Sequence, residues 1–378
     1  MILPGATLGV LGGGQLGQMF SLAALRLGYG VLVLDPDPHC PAAAVASRHL
    51  CADYDDPAAL AEMERSCAAV TTEFENVSAA ALELLARHLP VRPAPNAVAM
   101  VQDRILEKGF LRDLDLATAP FAAIHAEDDL HAAWRSVGGP AILKRARFGY
   151  DGKGQAGVGD GDALASAWVA MGRAPAILEA RIALRQELSV ILARGEDGMM
   201  AFYPVVENIH RNGILDLSIV PARCSEAIQQ EARRMAARIA TALDYVGTMA
   251  VEYFVDEGGC LLVNEIAPRP HNSGHFTIDA CVQSQFDQQV RALCGLPLGD
   301  TRLLSSVVMM NLLGDLWAEG EPDWSALFRH PQIKLHLYGK AEARPGRKMG
   351  HVHALAADSA QAMAVLEVLR ADWGWPKG

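Results

Sequence analysis

Four short apolar runs, TLGVLG, GVLVLD, HLCAD and AAVTTEF, are separated by helical patterns such as QLGQMFSLAALRLG and DPAALAEMERSC over the first 74 residues. Strands that rejoin one sheet only after a helix lie parallel, and the connection between them is right-handed. The chain therefore predicts an α/β fold that opens with a parallel sheet. Its first strand runs into GVLGGGQLG, where Gly12, Gly14 and Gly17 have the G-x-G-x-x-G spacing and Asp35 follows eighteen residues after Gly17. Glycines permit a tight strand-to-helix turn, and the helix N-terminus beyond it receives an anion. A dinucleotide pyrophosphate is one such anion, yet many parallel sheets open on a glycine-rich turn and bind none.

The 378 residues, 51% hydrophobic and 20% charged, suit two or three domains around well-buried cores and argue against disorder. A net charge of -11 and a pI near 5.5 speak against a nucleic-acid-coating surface and leave anions to a local basic pocket. The seven cysteines, Cys40, Cys51, Cys67, Cys224, Cys260, Cys281 and Cys294, form no C-x-x-C pair, so neither a cysteine zinc site nor a disulfide framework is indicated and cytoplasmic, reduced thiols are expected. No charge precedes Arg26, but six glycines, Pro4, Gln15 and Gln18 interrupt that stretch, which makes it a strand, turn and helix rather than a membrane span or signal segment.

Prolines in PVRPAPNAV mark a boundary, and Asn96 is expected to cap a helix through AVAMVQDRILEKGFLRDL. Three domains follow: residues 1–95, residues 96–310 with a mobile lid at about 119–182, and a smaller strand-rich unit at 311–378. Within the second, MAVEYFVDE and CLLVNEIA joined through a two-residue Gly258-Gly259 turn form a hairpin that sets Glu252 opposite Glu265. Opposed carboxylates with Cβ atoms roughly 5 Å apart repel unless a cation or proton lies between them. An oxygen-only pair of this kind suits Mg²⁺, which takes one or two carboxylates and completes its shell with water and nucleotide phosphates. A shifted register would instead leave both on a solvated edge. The loop KRARFGYDGKGQ offers Gly149, Gly152 and Gly154 for backbone N–H groups turned toward a phosphate, with Lys144 as a point charge, while Gln155 stands where a P-loop needs lysine. Together the loop and the acidic pair point to ATP.

These motifs bring out a resemblance. The sequence is similar to the ATP-grasp superfamily and, within it, to the 5-(carboxyamino)imidazole ribonucleotide synthetases, the ATPase subunits of phosphoribosylaminoimidazole carboxylase. The likeness spans nearly the whole chain and rests on GGGQLGQM at 12–19, TTEFENV at 71–77, QDRILEK at 102–108, FGYDGKGQ at 148–155, VNEIAPRPHNSGH at 263–275 and LYGKAEARPGRKMGH at 337–351. One departure is Ala180 in ILEARI, where relatives often carry a second glutamate.

The resemblance implies an α/β preATP-grasp domain, an α+β ATP-grasp domain and a small C-terminal domain. It implies a ligase using ATP with Mg²⁺, or Mn²⁺ in its place, and no NAD, the first glycine-rich turn facing a ribonucleotide. For ATP it implies Arg104 and Lys144 on phosphates, Gly149, Tyr150, Asp151, Gly152, Lys153, Gly154 and Gln155 closing over them, and Glu179, Ala180, Arg181 and Ile182 as the adenine hinge. Glu187 would meet the ribose, His210 and Asn264 would line the nucleotide, and Glu252 and Glu265 would hold the metal. Arg269, His271 and Asn272 would serve bicarbonate. Glu73, Tyr150 and Asp151 would orient the aminoimidazole, Glu73 or Asp151 taking the amine proton; Gln15 and Leu16 N–H groups with Lys340 and Arg347 would take the substrate phosphate. A cytoplasmic homodimer that passes its product to a separate mutase, with no nucleic-acid or membrane partner, completes the expectation. A nicotinamide oxidoreductase would explain only the first turn, and a nucleotide-binding regulatory module would leave RPHNSGH and the basic C-terminal stretch unused. A formate-using glycinamide ribonucleotide ligase is the nearest competitor.

Overall fold

The computed structural model describes residues 1–147, 149 and 154–374. Its first sheet is parallel, with β1 (Thr7–Leu11), β2 (Gly30–Leu34), β3 (Arg48–Leu50) and β4 (Ala69–Thr72) in the spatial order β3-β2-β1-β4. Leu8, Val10, Val31 and Val33 are fully buried, as expected of strands covered on both faces. The helix Gln15–Arg26 covers one face through Met19, Phe20 and Ala24, which pack against Phe286, Val290 and Leu293 of the helix Gln285–Leu293. Arg26 also pairs with Asp287 at 2.5 Å. The N-terminal sheet is thereby fixed to the central domain.

The expected single helix after the proline boundary is two helices, Pro95–Val101 and Arg104–Asp113. Ala94, not Asn96, is the N-cap of the first, with Pro95 at its first position, where a missing N–H costs nothing. Asp103 accepts from the N–H groups of Ile105 (2.9 Å) and Leu106 (3.4 Å), and this side-chain cap starts a new helix in mid-pattern.

A second, antiparallel sheet comprises β5 (Phe121–Ile124), β6 (Ala141–Arg145), β7 (Gln155–Val158) and β8 (Ala176–Ala180), in the order β5-β8-β6-β7. With the helices Asp129–Val137 and Gly161–Ala170 it encloses its own core of Ile124, Leu130, Leu143, Leu164, Trp168 and Leu178. This core is separate from those of the other two sheets.

The remaining strands form one sheet: β9 (Leu184–Arg194), β10 (Met200–Phe202), β11 (Val206–Arg211), β12 (Ile214–Val220), β13 (Gly247–Asp256), β14 (Leu261–Ala267), β15 (Ser306–Leu313), β16 (Ile333–Leu337) and β17 (Lys348–Ala356). The order is β14-β13-β9-β11-β12-β15-β17-β16, with β10 also on β9. The C-terminal strands continue the central sheet through the β12–β15 pairing. The helix Glu226–Ala242 begins at Ser225, whose hydroxyl accepts from Ile228 N–H, and buries Ala232, Met235, Ala236 and Ile239 against Leu188, Val190, Met249 and Val251. The three-four spacing of those side chains gives the helix one apolar stripe. No helix among the described residues is long and apolar enough to cross a membrane.

Candidate active site

The first turn contains its own anion. Gly12 takes a φ of +99°, and a Cβ placed there would lie 2.7 Å from the Glu73 Cγ. Glu73, arriving from the end of β4, accepts from Gly14 N–H (2.8 Å) and Gly17 N–H (3.1 Å), so its carboxylate occupies the helix N-terminus. The Gln15 and Leu16 N–H groups of the same first turn have no intrahelical acceptor. Burial pushes the Glu73 carboxyl above its ordinary value, against the pull of the two N–H bonds. Asp35 is engaged in the same turn: it accepts from Gly13 N–H (2.6 Å), Asp37 N–H (2.8 Å) and the Tyr54 hydroxyl (2.8 Å).

Glu252 and Glu265 face each other in the β13–β14 register, by a route the two-residue turn did not foresee. Gly259 N–H bonds to the Asp256 carbonyl at 3.0 Å, Gly259 has φ +83°, and Val255 pairs with Leu261, which is a three-residue loop ending in a left-handed glycine. That loop slips the register by one residue, and a bulge between Glu252 and Tyr253, at Asn264 on the partner strand, restores it. The expected repulsion is met by protein groups: Arg104 Nη1 lies 3.0 Å from Glu265, and His271 Nε2 lies 2.9 Å from Glu252. Burial works against the Glu265 charge, but Arg104, Lys144 and His271 outweigh it and hold the carboxyl down at about 2.

One turn along from Arg104, the buried Lys108 donates to the Asn264 carbonyl (2.7 Å) and stands 3.8 Å from Glu179, which Lys144 meets at 2.9 Å. Glu107 accepts from Ile266 N–H at 2.6 Å, so the helix Arg104–Asp113 is stitched along β14. The Glu179 side chain points at these two lysines, and the Ala180 and Arg181 N–H groups bond to the Pro120 (2.8 Å) and Pro140 (2.9 Å) carbonyls. Across β9 and β11, His210 Nδ1 and Glu187 are 2.9 Å apart; burial opposes protonation of His210, but Glu187 and Glu252 raise it above its ordinary value.

In the loop after β14, the Arg269 Nε donates to Glu75 and its Nη1 to the Pro270 carbonyl (3.1 Å). Glu75 is held down by Arg269 although burial pushes the other way. His271 is fixed at both nitrogens, Nδ1 lying 2.9 Å from Ser273 Oγ, itself 2.8 Å from Ser189 Oγ, to which Asn208 donates at 3.0 Å. Asn272 is locked by a reciprocal amide pair with Asn311 (3.1 and 2.6 Å). At the C-terminal stretch, Lys340 Nζ donates to the Lys348 carbonyl (2.8 Å) and lies over the Tyr338 ring, while Arg347 donates to the Glu342 carbonyl (2.9 Å). Gly154, with φ +74°, passes its carbonyl to Arg145 N–H (2.9 Å) and leads into Gln155, paired with Lys144; Tyr150, Asp151, Gly152 and Lys153 lie outside the described residues.

Thus Arg104, Lys144, Glu179, Asn264 and Glu265 converge on one wall and Glu187, His210, Glu252 and His271 on the next. Sequence reasoning missed Glu75, the partner of Arg269, and Lys108, which links Glu179 to β14. Both stood inside quoted motifs, and only their charge hinted at a role.

Comparison with known proteins identifies the family. Residues 5–102 match the ribonucleotide synthetase preATP-grasp domain, 109–286 the ATP-grasp domain and 307–365 the phosphoribosylaminoimidazole carboxylase C-terminal domain. An N5-carboxyaminoimidazole ribonucleotide synthase of Brucella melitensis is 48% identical over 351 residues, 92% of this chain and 96% of the relative. A solved ADP complex of an N5-carboxyaminoimidazole ribonucleotide synthetase superposes with a TM-score of 0.92 at 40% identity, covering 98% of this chain and 97% of the other. The Aspergillus clavatus synthase, solved with ADP and 5-aminoimidazole ribonucleotide, gives 0.87 at 31% identity, covering 97% and 99%. With opposed carboxylates, converging cations and all three domain models in order along one chain, the protein belongs to the N5-carboxyaminoimidazole ribonucleotide synthase family of ATP-grasp ligases.

Proposed function

We infer that the protein uses ATP and bicarbonate to carboxylate the exocyclic amine of 5-aminoimidazole ribonucleotide, giving 5-(carboxyamino)imidazole ribonucleotide, ADP and phosphate in purine biosynthesis. The observation that carries this reading is the opposed Glu252–Glu265 pair, with Arg104 on one side and the Arg269–His271 loop on the other. Such a wall positions a γ-phosphate beside a small oxyanion.

Glu252, Glu265 and the amide oxygen of Asn264, which is buried without a partner among the described residues, form an all-oxygen set that fits Mg²⁺. When bound there, Mg²⁺ supplies charge neutralisation for the β- and γ-phosphates. Arg104 and Lys144 place cations beside those phosphates. Arg269, aimed by Glu75, binds the bicarbonate oxygens, and His271 and Asn272 add donors whose orientation is preset by Ser273 and Asn311. A bicarbonate oxygen attacks the γ-phosphorus and ADP leaves. The amine nitrogen then takes the carboxyl carbon of the resulting carboxyphosphate, or of CO₂ released from it, as phosphate departs, and its proton passes to Glu73 or Asp151. Burial makes Glu73 a stronger base than an exposed carboxylate, which suits that task.

Because Glu73 already fills the centre of the helix N-terminus, the substrate's amine belongs there and its phosphate does not. The phosphate load falls on Lys340 and Arg347, with the Gln15 and Leu16 N–H groups at the rim. On this reading the enzyme is a cytoplasmic homodimer whose product goes to a separate mutase. The test is ADP release in the presence of Mg²⁺, ATP, the ribonucleotide and ¹³C-bicarbonate. Release that requires both co-substrates, with label recovered in the carbamate, is expected; turnover with formate in place of bicarbonate would overturn it.

A further inference from the structure

Strands β16 and β17 carry His336, His351 and His353. His351 and His353 are two residues apart and share a face of the sheet, and the antiparallel register sets His336 directly across from His351. The rings touch: His336 and His351 stack with centroids 4.5 Å apart, His351 and His353 are 4.6 Å apart, and His336 and His353 are 5.1 Å apart. From the short helix Thr277–Ala280 of the central domain, Asp279 Oδ2 lies 2.7 Å from His336 Nε2 and 2.6 Å from His353 Nδ1. Tyr338 Oη lies 2.8 Å from His351 Nδ1.

His351 and His353 are completely buried, and the Nε2 of each has no hydrogen-bond partner among the described residues. Since the Asp279 carboxylate accepts the Nδ1–H of His353, that ring's Nε2 carries its lone pair. A buried imidazole lone pair with no donor is the position a metal ion or an ordered water fills. One nitrogen from each of the three rings lies within 4.8 Å of the others, the one such grouping among the described residues. Tetrahedral bonds of 2.0–2.1 Å put ligand nitrogens about 3.3 Å apart, so the nitrogens need to close by about 1.5 Å at most, and the His336 ring, stacked at 10° on His351, needs to turn so that their in-plane lone pairs converge. His336, 27% exposed on the edge strand β16, is placed to make that movement.

We propose that His336, His351 and His353 form a binding site for a divalent transition-metal ion of the zinc type, with Asp279 orienting the rings and balancing the charge. Neutral imidazoles favour Zn²⁺, Co²⁺ or Ni²⁺ over Mg²⁺, so the site draws on a different ion from the one that fits Glu252 and Glu265. A carboxylate that orients a ligating histidine raises its basicity and fixes its tautomer. The ion would join the central domain, through Asp279, to the strands that flank Tyr338 and Lys340. It needs no cysteine, so the chain's scattered thiols gave no sign of it.

The test uses the full chain stripped with EDTA and then offered Zn²⁺ or Co²⁺. One Zn²⁺ per chain surviving desalting is expected, together with the visible absorption of a nitrogen-ligated tetrahedral Co²⁺. Both signals should persist in Glu252→Gln/Glu265→Gln, which removes the other site. His353→Asn and the milder His336→Gln, each checked by circular dichroism, should weaken Zn²⁺ by at least about tenfold and abolish the Co²⁺ bands; Asp279→Asn should weaken it by about 10- to 100-fold. Absence of stoichiometric Zn²⁺, or binding that survives in folded His336→Gln, would overturn the proposal, as would a Zn²⁺-soaked crystal with only water at His351 and His353.

Discussion

Glu265→Gln separates two accounts of the acidic pair. If mutual repulsion between Glu252 and Glu265 dominated the metal-free protein, neutralising either would stabilise it. The structure gives Glu265 a cation of its own, Arg104 at 3.0 Å, and a carboxyl near 2 in place of its ordinary 4.5. At about 1.36 kcal/mol per pH unit, that displacement amounts to about 3.4 kcal/mol of preference for the charged form. Solvent reaches 36% of the Glu265 side chain and screens the pair, so about half, or roughly 1.5 kcal/mol, is expected to survive as stability. Because the folded-state value is depressed, this stability is present above the unfolded value of 4.5 and is lost as pH falls through about 2. In EDTA at pH 7, Glu265→Gln should therefore lower the urea midpoint by about 0.5 M, taking a slope of about 3 kcal/mol/M. The gap should narrow progressively below pH 4.5, and Arg104→Met should remove most of it in a double-mutant cycle. A midpoint for Glu265→Gln equal to or above the parent's in EDTA at pH 7 would refute the ion-pair account and restore repulsion as the larger effect.

Glu107 titrates in the opposite sense: burial outweighs Arg104 and Lys108 and pushes it up to about 7, so the native state binds the extra proton between 4.5 and 7 and stability falls as pH rises through that window. Glu107→Gln should gain on the parent by up to about 3 kcal/mol from pH 4.5 to 8, and a constant difference between pH 5 and 8 would contradict this. Gly12→Ala forces a side chain into φ +99° and against Glu73, at an expected cost of about 1–3 kcal/mol with a raised KM for the ribonucleotide; calorimetry and steady-state kinetics check both. Lys340→Ala and Arg347→Ala should each raise the KM for the ribonucleotide at least about tenfold and leave that for ATP unchanged, and parental kinetics in both would move the phosphate site elsewhere.

The parallel opening sheet was legible because its alternation of apolar runs leaves few alternatives. The Glu252–Glu265 pairing was legible as well, although through two errors that cancel: a loop one residue longer than expected and a bulge that takes the residue back. Loop length depends on Gly259 entering the left-handed region and the register on a bulge at Asn264, neither of which periodicity reports. Asp103 split a helix that hydrophobic spacing drew as one, since an aspartate reads the same on a helix surface as at its cap until its partners are known. Contacts between distant segments were the least legible. Glu75 and Arg269 lie 194 residues apart, and Lys108 reaches Asn264 across 156, so only the folded chain shows that they meet.

The carboxylate lodged in the first turn also bears on how the enzyme fares in a mixture of cellular nucleotides. A dinucleotide seeking the Gly12–Gly17 turn would meet Glu73 where its pyrophosphate should go and Asp35 already committed to Gly13, Asp37 and Tyr54 where its ribose should go. Evicting this half-buried carboxylate means stranding two backbone donors or handing them to a competitor of the same charge. The turn thus keeps the glycine spacing of a dinucleotide site while holding a carboxylate of its own in the anion position, so redox dinucleotides are expected to be poor competitors there, and saturable micromolar NAD binding would refute this.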